Sequence, residues 1–368
     1  MSIPLTAAFV VLRWSVACGH RLSCFVAAGT EFTKPARATR GLPVRPGPGY
    51  DGQFYYRLAL DPFDLSRSAF GIRFDTLSRV ERIGYPFIAW LLAAGRHQDV
   101  PLTLVLTNVL AAAALGLAGG ILAISAGRHA MWGLVFPGYW GYLWTLGRDL
   151  TELTAAAFFL FALAALVRRA PVWSGFALLG AVLCKETTLV FVLALAVWSI
   201  WQRRHERQRR VERADAVFAI PLLGALAWQL ALRSLIGSTP VLHSGQANLG
   251  APFVGLVHGM AHYGGLLPTV AALLWWGELC ALVLVTVGAA SNAARTPSVL
   301  RYLWVFALAL GVFASSGIWL GDVGFRSLDT IYLTGWTLLL FGRRPLWPWA
   351  AVSITAWCVV AVELIRFL

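Results

Sequence analysis

The chain has 368 residues, 58% of them hydrophobic and 13% charged, with a mean hydropathy of +0.69 and a formal net charge of +13. That balance excludes an ordinary soluble globular domain, and the long unbroken apolar runs exclude the alternating strands of a membrane β-barrel. The basic excess is almost wholly arginine sorted into short loops, Lys34 and Lys185 being the only lysines, so it reads as membrane topology and not as nucleic-acid binding.

The first apolar run, 3–19, has no basic leader and no clear cleavage site and reads as an uncleaved helix. Cys18 and Cys24 near its end are read as two unrelated thiols in preference to a disulfide. A polar stretch over 20–84 follows. Its part "GLPVRPGPGYDG" (41–52) is too rich in Gly and Pro for a helix, and 61–86 mixes apolar and charged residues like short helices lying on a membrane surface. The piece "YPFIAWLLAAG" (85–95) is too short to span and reads as interfacial or re-entrant.

Apolar runs then fall near 101–126, 131–147, 151–167, 172–184, 187–201, 216–236, 265–290, 302–320, 330–341 and 348–367, which with the first helix makes about eleven crossings. With the N-terminus in the cytoplasm, the cytoplasmic loops "GRH", "RRAP", "RRHERQRRVER", "AARTPSVLR" and "GRRP" hold thirteen arginines, whereas 237–264 holds no Lys or Arg. The charge rule also favours a hairpin around Lys185 over one long helix through 172–201. The reading is therefore an all-α polytopic membrane protein, a single domain over 1–368. It has a large first extracytoplasmic loop (20–84) carrying short interfacial helices, and a basic cytoplasmic loop at 203–215 that anchors on anionic lipid.

This topology puts the acids Asp51, Asp149, Glu152, Glu186, Asp322 and Asp329 on the outer side, with Arg79, Arg82, Arg148, Lys185 and Arg326 beside them. Ionisable groups at helix ends facing a cavity are costly and often functional. Asp51 is the sharpest candidate. Gly52 leaves room for a substrate to approach, Phe54, Tyr55 and Tyr56 supply flat faces suited to a sugar ring, and a carboxylate beside a hydroxyl can act as general base. The plain alternative is an Asp-Gly turn. Asp149 and Glu152, spaced i,i+3, share a face if a helix starts there, or simply complement its dipole. Lys185 suits a phosphate as a point charge, or else pairs with Glu186 to hold the hairpin. His258 and His262 lack a third ligand at comparable spacing and read as structural or interfacial. There is no internal repeat, Walker loop or serine nucleophile elbow.

An acid in a large first outer loop, a second acidic island and a Lys-Glu hairpin together resemble the GT-C superfamily of membrane glycosyltransferases. The stretches "GYDGQFYYRLALDP" (49–62) and "RIGYPFIAWLLA" (82–93) resemble its bacterial members of cell-surface glycopolymer formation, and "GRDLTE", "KETT" and "GFRSLD" are fainter echoes. The resemblance implies a polyprenyl-phosphate-linked sugar as donor, a glycan, lipid or protein acceptor, and inverting transfer on the extracytoplasmic face of a bacterial inner membrane. It implies Asp51 as catalytic base, with Tyr55, Tyr56, Arg82, Asp149, Glu152, Lys185, Glu186 and Arg326 binding substrate. A divalent metal at the acids is left open. The chain departs from the family in carrying Asp-Gly in place of paired acids and in lacking a large C-terminal soluble domain. A transporter or flippase for a lipid-linked sugar, or a non-catalytic subunit of an envelope glycopolymer assembly complex, are the alternative readings.

Overall fold

A computed structural model describes residues 2–39, 41–206, 215–240, 248–320 and 324–366. The fold is predominantly helical, with only two minute two-stranded sheets among the described residues. In chain order the helices are α1 (Ser2–Val16), α2 (Gly52–Leu60), α3 (Gly84–Leu92), α4 (Val100–Ser125), α5 (Gly141–Gly147), α6 (Glu152–Val167), α7 (Pro171–Cys184), α8 (Leu189–Glu206), α9 (Ala216–Ile236), α10 (Val254–Gly265), α11 (Val270–Ala290), α12 (Ser298–Val312), α13 (Ser316–Trp319), α14 (Asp329–Phe341) and α15 (Trp347–Arg366).

Four helical segments among the described residues are long and apolar enough to cross a membrane: His97–Ser125, Ala216–Ile236, Val270–Ala290 and Trp347–Leu364. This corrects the expected count of about eleven. The remaining apolar runs form shorter helices or break up. Run 131–147 becomes a 3-10 turn (Ala130–Val135) and the seven-residue α5, interrupted at Pro137 and Gly138. The 14-residue α7 rises only about 21 Å against a hydrocarbon core of about 30 Å. The 13-residue α14 is buried from Ile331 to Leu340, so its hydrophobicity faces protein on all sides.

The hairpin at Lys185 is present. Helix α7 ends at Cys184, Lys185 adopts an extended conformation, and α8 starts at Leu189 after one 3-10 turn. Ser199 of α8 bonds Asp215, and Gly175 of α7 abuts the carbonyl of Ala216, so α8 returns to the level where α7 began. A Cβ at Gly175 would collide with that carbonyl, which is why α9 can run so close alongside α7. The basic run 203–215 falls largely outside the described residues.

The first loop differs from a set of surface helices. The nine residues of α2 are all buried, and 61–86 forms a small antiparallel hairpin, β3 (Ser68–Ala69) with β4 (Ile72–Arg73), then one 3-10 turn (Leu77–Glu81). Upstream, β1 (Ala28–Gly29) pairs in parallel with β2 (Val44–Arg45), and 41–50 is non-helical, as its Gly and Pro content requires. Phe54, Tyr55, Leu58, Phe74 and Val80 join α3 and the start of α4 in a second apolar core, separate from that of the helical bundle. Cys18 and Cys24 are joined by a disulfide, which corrects the reading of two unrelated thiols. The six-residue separation lets the turn after α1 close on the start of the loop.

Candidate functional site

Asp51 stands immediately before α2, and its side chain does not cap that helix. Its Oδ2 accepts a hydrogen bond from Arg79 Nη1 at 2.7 Å and lies 3.8 Å from Arg326 Nη2. Arg79 is itself held by a fork from Asp75, with Nε donating at 3.0 Å and Nη2 at 2.7 Å. Both contacts to Asp51 fall on one oxygen; Oδ1 accepts no hydrogen bond among the described residues.

Gly52 explains this position. A Cβ there would run into the carbonyl of Arg148 and come within 2.8 Å of the Val26 carbonyl, so only glycine lets α2 begin against these strands of backbone. The space at Gly52 is thus filled by protein, which corrects its reading as room for a substrate.

The second arm is Arg82, whose Nε and Nη2 donate to the two oxygens of Glu186, both at 2.7 Å, while Nη1 donates to the Tyr55 hydroxyl at 3.0 Å. Burial alone would raise the Glu186 carboxyl, but the Arg82 guanidinium outweighs it and holds the group below the ordinary glutamate range. Burial likewise works against the Arg79 charge, and the Asp75 and Asp51 carboxylates more than offset it, so its pKa stands above the usual arginine value. Lys185 does not pair with its neighbour Glu186. Its Nζ reaches 3.4 Å to Asp329 Oδ1 at the head of α14. Arg326, on a 3-10 turn (Gly324–Leu328), forms a close ion pair with Glu152 at the start of α6. Gly141 makes room for it, since a Cβ there would stand 2.9 Å from Arg326 Cα.

These groups line one cavity of about 600 Å³, roofed by the first loop and walled by α6, the α7–α8 break, α12 and the turn before α14. Asp51, Arg79, Arg82, Glu152, Lys185, Glu186, Arg326 and Asp329 all face it, four cations against four acids. Asp51 and Arg82 are 19% and 15% exposed, so the network is shielded yet reachable. Each cation facing the cavity is held by at least one carboxylate: Arg79 by Asp51 and Asp75, Arg82 by Glu186, Lys185 by Asp329 and Arg326 by Glu152.

Three expected site residues lie elsewhere. Tyr56 is buried in the loop core and does not line the cavity. Tyr55 is buried too and acts as an acceptor for Arg82, so neither ring is a sugar platform. Asp149 has φ +49 and sits in the turn before α6, so it does not share a helical face with Glu152. It is fully buried, neither oxygen accepts a hydrogen bond among the described residues, and burial pushes its carboxyl well above the usual range, with Arg13 opposing. Sequence reasoning passed over Asp75, although its i,i+4 spacing to Arg79 was a visible signal. It also passed over Tyr50, whose ring lies under the guanidinium groups of Arg148 (4.4 Å) and Arg326 (5.6 Å). Among the described residues no group of three or more His, Cys, Asp or Glu side chains is arranged to hold a metal ion. His258 lies with Nδ1 2.8 Å from Ser316 Oγ, and His262 packs edge-on against Tyr263. Asp322 is outside the described residues.

No protein-family model, no curated protein and no solved structure matches the chain.

Proposed function

We propose that the protein is an inverting membrane glycosyltransferase of GT-C type that moves a sugar from a polyprenyl-phosphate donor to a cell-envelope acceptor. The observation that carries this reading is the convergence in one cavity of Asp51, Arg82, Glu152, Lys185 and Arg326, which come from five separate stretches of chain. The donor's tail stays among lipid while its phosphate exchanges into the contacts of Lys185 and Arg326. The acceptor hydroxyl approaches Asp51 Oδ1, the oxygen that accepts no bond from the arginines. As the hydroxyl oxygen bonds to the anomeric carbon, its proton passes to Asp51. The bond from that carbon to the phosphate oxygen breaks on the opposite face, and its electron pair leaves with the polyprenyl phosphate, whose new charge the cations receive.

The site belongs, in this proposal, on the extracytoplasmic side of a bacterial inner membrane, with the N-terminus in the cytoplasm. The arginine-rich loops that the charge bias assigns to the cytoplasmic side support that orientation. So does the Cys18–Cys24 disulfide at the mouth of the first loop, since such bonds persist in oxidising compartments.

The test supplies protein reconstituted in sealed proteoliposomes with a panel of polyprenyl-phosphate sugars and acceptors, follows product configuration by NMR and follows donor sidedness across the bilayer. A product of inverted anomeric configuration, with free polyprenyl phosphate released, is the expected result. Movement of intact donor across the bilayer without release identifies a flippase and overturns the transferase. Binding with neither outcome points to a subunit of an assembly complex.

A further inference from the structure

A second pocket, of about 420 Å³, opens between α11 and α15. The two helices run antiparallel, with Gly288 near the end of α11 meeting the ring of Trp349 near the start of α15. Both belong to segments long and apolar enough to cross a membrane. Nearer the middle of α11, Glu278 faces the pocket, only 6% exposed. It makes no hydrogen bond and no ion pair among the described residues. A carboxylate inside an apolar helix is expensive to keep without a partner and marks a functional position.

The walls indicate what that partner is. Tyr263 and Trp275 stack at 5.0 Å and 15°, and Trp144 lines the pocket with them. Aromatic faces attract cations, and a carboxylate set among them is the chemistry of an ammonium site. Glu278 and Glu363 line the pocket against one cation, Arg148, so its lining carries one more acid than base. The flanks are greasy: Leu273, Val359 and Val362 are exposed on the same stretches of α11 and α15, at the positions where acyl chains would lie.

We propose that this pocket binds a membrane lipid with a primary ammonium headgroup, the ammonium ion-pairing with Glu278 and packing against Tyr263 and Trp275. The proposal is independent of transfer at Asp51. The two pockets adjoin, because Tyr50 separates Arg148 on the lining of one from Arg326 on the lining of the other. A lipid seated at Glu278 therefore stands next to the lining of the cavity that holds Arg326 and Asp51.

The test uses full-length protein, delipidated in detergent and offered phosphatidylethanolamine, phosphatidylglycerol or N-methylated phosphatidylethanolamines, with bound lipid read by native mass spectrometry. Wild type is expected to prefer phosphatidylethanolamine over phosphatidylglycerol by about tenfold or more, the scale of one charge-assisted hydrogen bond. Glu278→Gln is expected to abolish that preference while leaving phosphatidylglycerol retention unchanged. Equal retention of the lipids by wild type overturns the proposal without recourse to any variant, and so does a preference that survives in Glu278→Gln. Free ethanolamine serves as the soluble arm. If it binds as tightly as the lipid, so that the acyl chains add nothing, a lipid occupant is ruled out.

Discussion

Asp51 and Asp149 both sit just before a helix, and the spacing of neighbouring residues recommends both for chemistry, yet the fold treats them in opposite ways. Asp51 is part-exposed, tied to Arg79 and Arg326 through one oxygen, and borders an open cavity. Asp149 is sealed in a turn with φ +49, with no hydrogen bond to either oxygen among the described residues. Burial pushes the Asp149 carboxyl well above the usual range despite the opposing Arg13, and Asp51 borders the cavity beside two guanidinium groups. In the proposed reaction only Asp51, which borders the cavity, is placed to meet a substrate hydroxyl. The lesson is that the surroundings of an acid before a helix are set by partners across the fold, and those come from residues far away in sequence.

The comparison can be broken in several ways. The largest stability effect is expected from Glu186→Gln, which strands the Arg82 guanidinium in its shielded position. Thermal and denaturant unfolding should report a loss of about 3 kcal/mol, as for other buried pairs deprived of one partner. Gly52→Ala is next. Its added methyl meets backbone, which cannot swing away, so a loss of about 1–3 kcal/mol is expected, with the Asp51–Arg79 contact displaced. Asp149→Asn should differ in sign, because an amide has no charge for burial to oppose, so unfolding at neutral pH should show no loss of stability.

Acid titration sharpens the same contrast. The folded Glu186 carboxyl lies below its ordinary value of 4.5, so its contribution is fully present above that pH and fades as pH falls through the lower folded value. Asp149 has the opposite sign. Its folded pKa is raised, so its contribution is present below the ordinary 3.8 and is lost as pH rises through the folded value. Unfolding measured across pH should therefore lose its low-pH decline in part in Glu186→Gln, and its decline with rising pH in part in Asp149→Asn. An unchanged profile in both variants would remove the electrostatic basis of the contrast.

Much of the cavity was legible in the sequence. Lys185 stands out as a rare lysine in an apolar stretch, and the arginine bias puts it on the same side as Asp51, Glu152 and Arg326. Pairing was not legible. Lys185 and Glu186 are adjacent, yet the extended backbone at Lys185 sends one side chain to Asp329 and the other to Arg82. The aromatics of α2 misled because Tyr55 and Tyr56 pack into a loop core whose other half, from Ile72 to Val80, is remote in sequence and weakly periodic. The count of crossings misled because apolar runs measure burial, and α14 is buried in protein. Glu278 was a missed opportunity: an acid inside the run 265–290 is visible without any structure.

The most direct measurement of the central claim is release of polyprenyl phosphate by wild type, Asp51→Asn and Asp149→Asn in nanodiscs, with donor binding measured in parallel. The account predicts that Asp51→Asn loses about 10²–10⁴-fold in turnover while still binding donor, and that Asp149→Asn stays close to wild type. Equal turnover in wild type and Asp51→Asn, or a loss confined to Asp149→Asn, would contradict it.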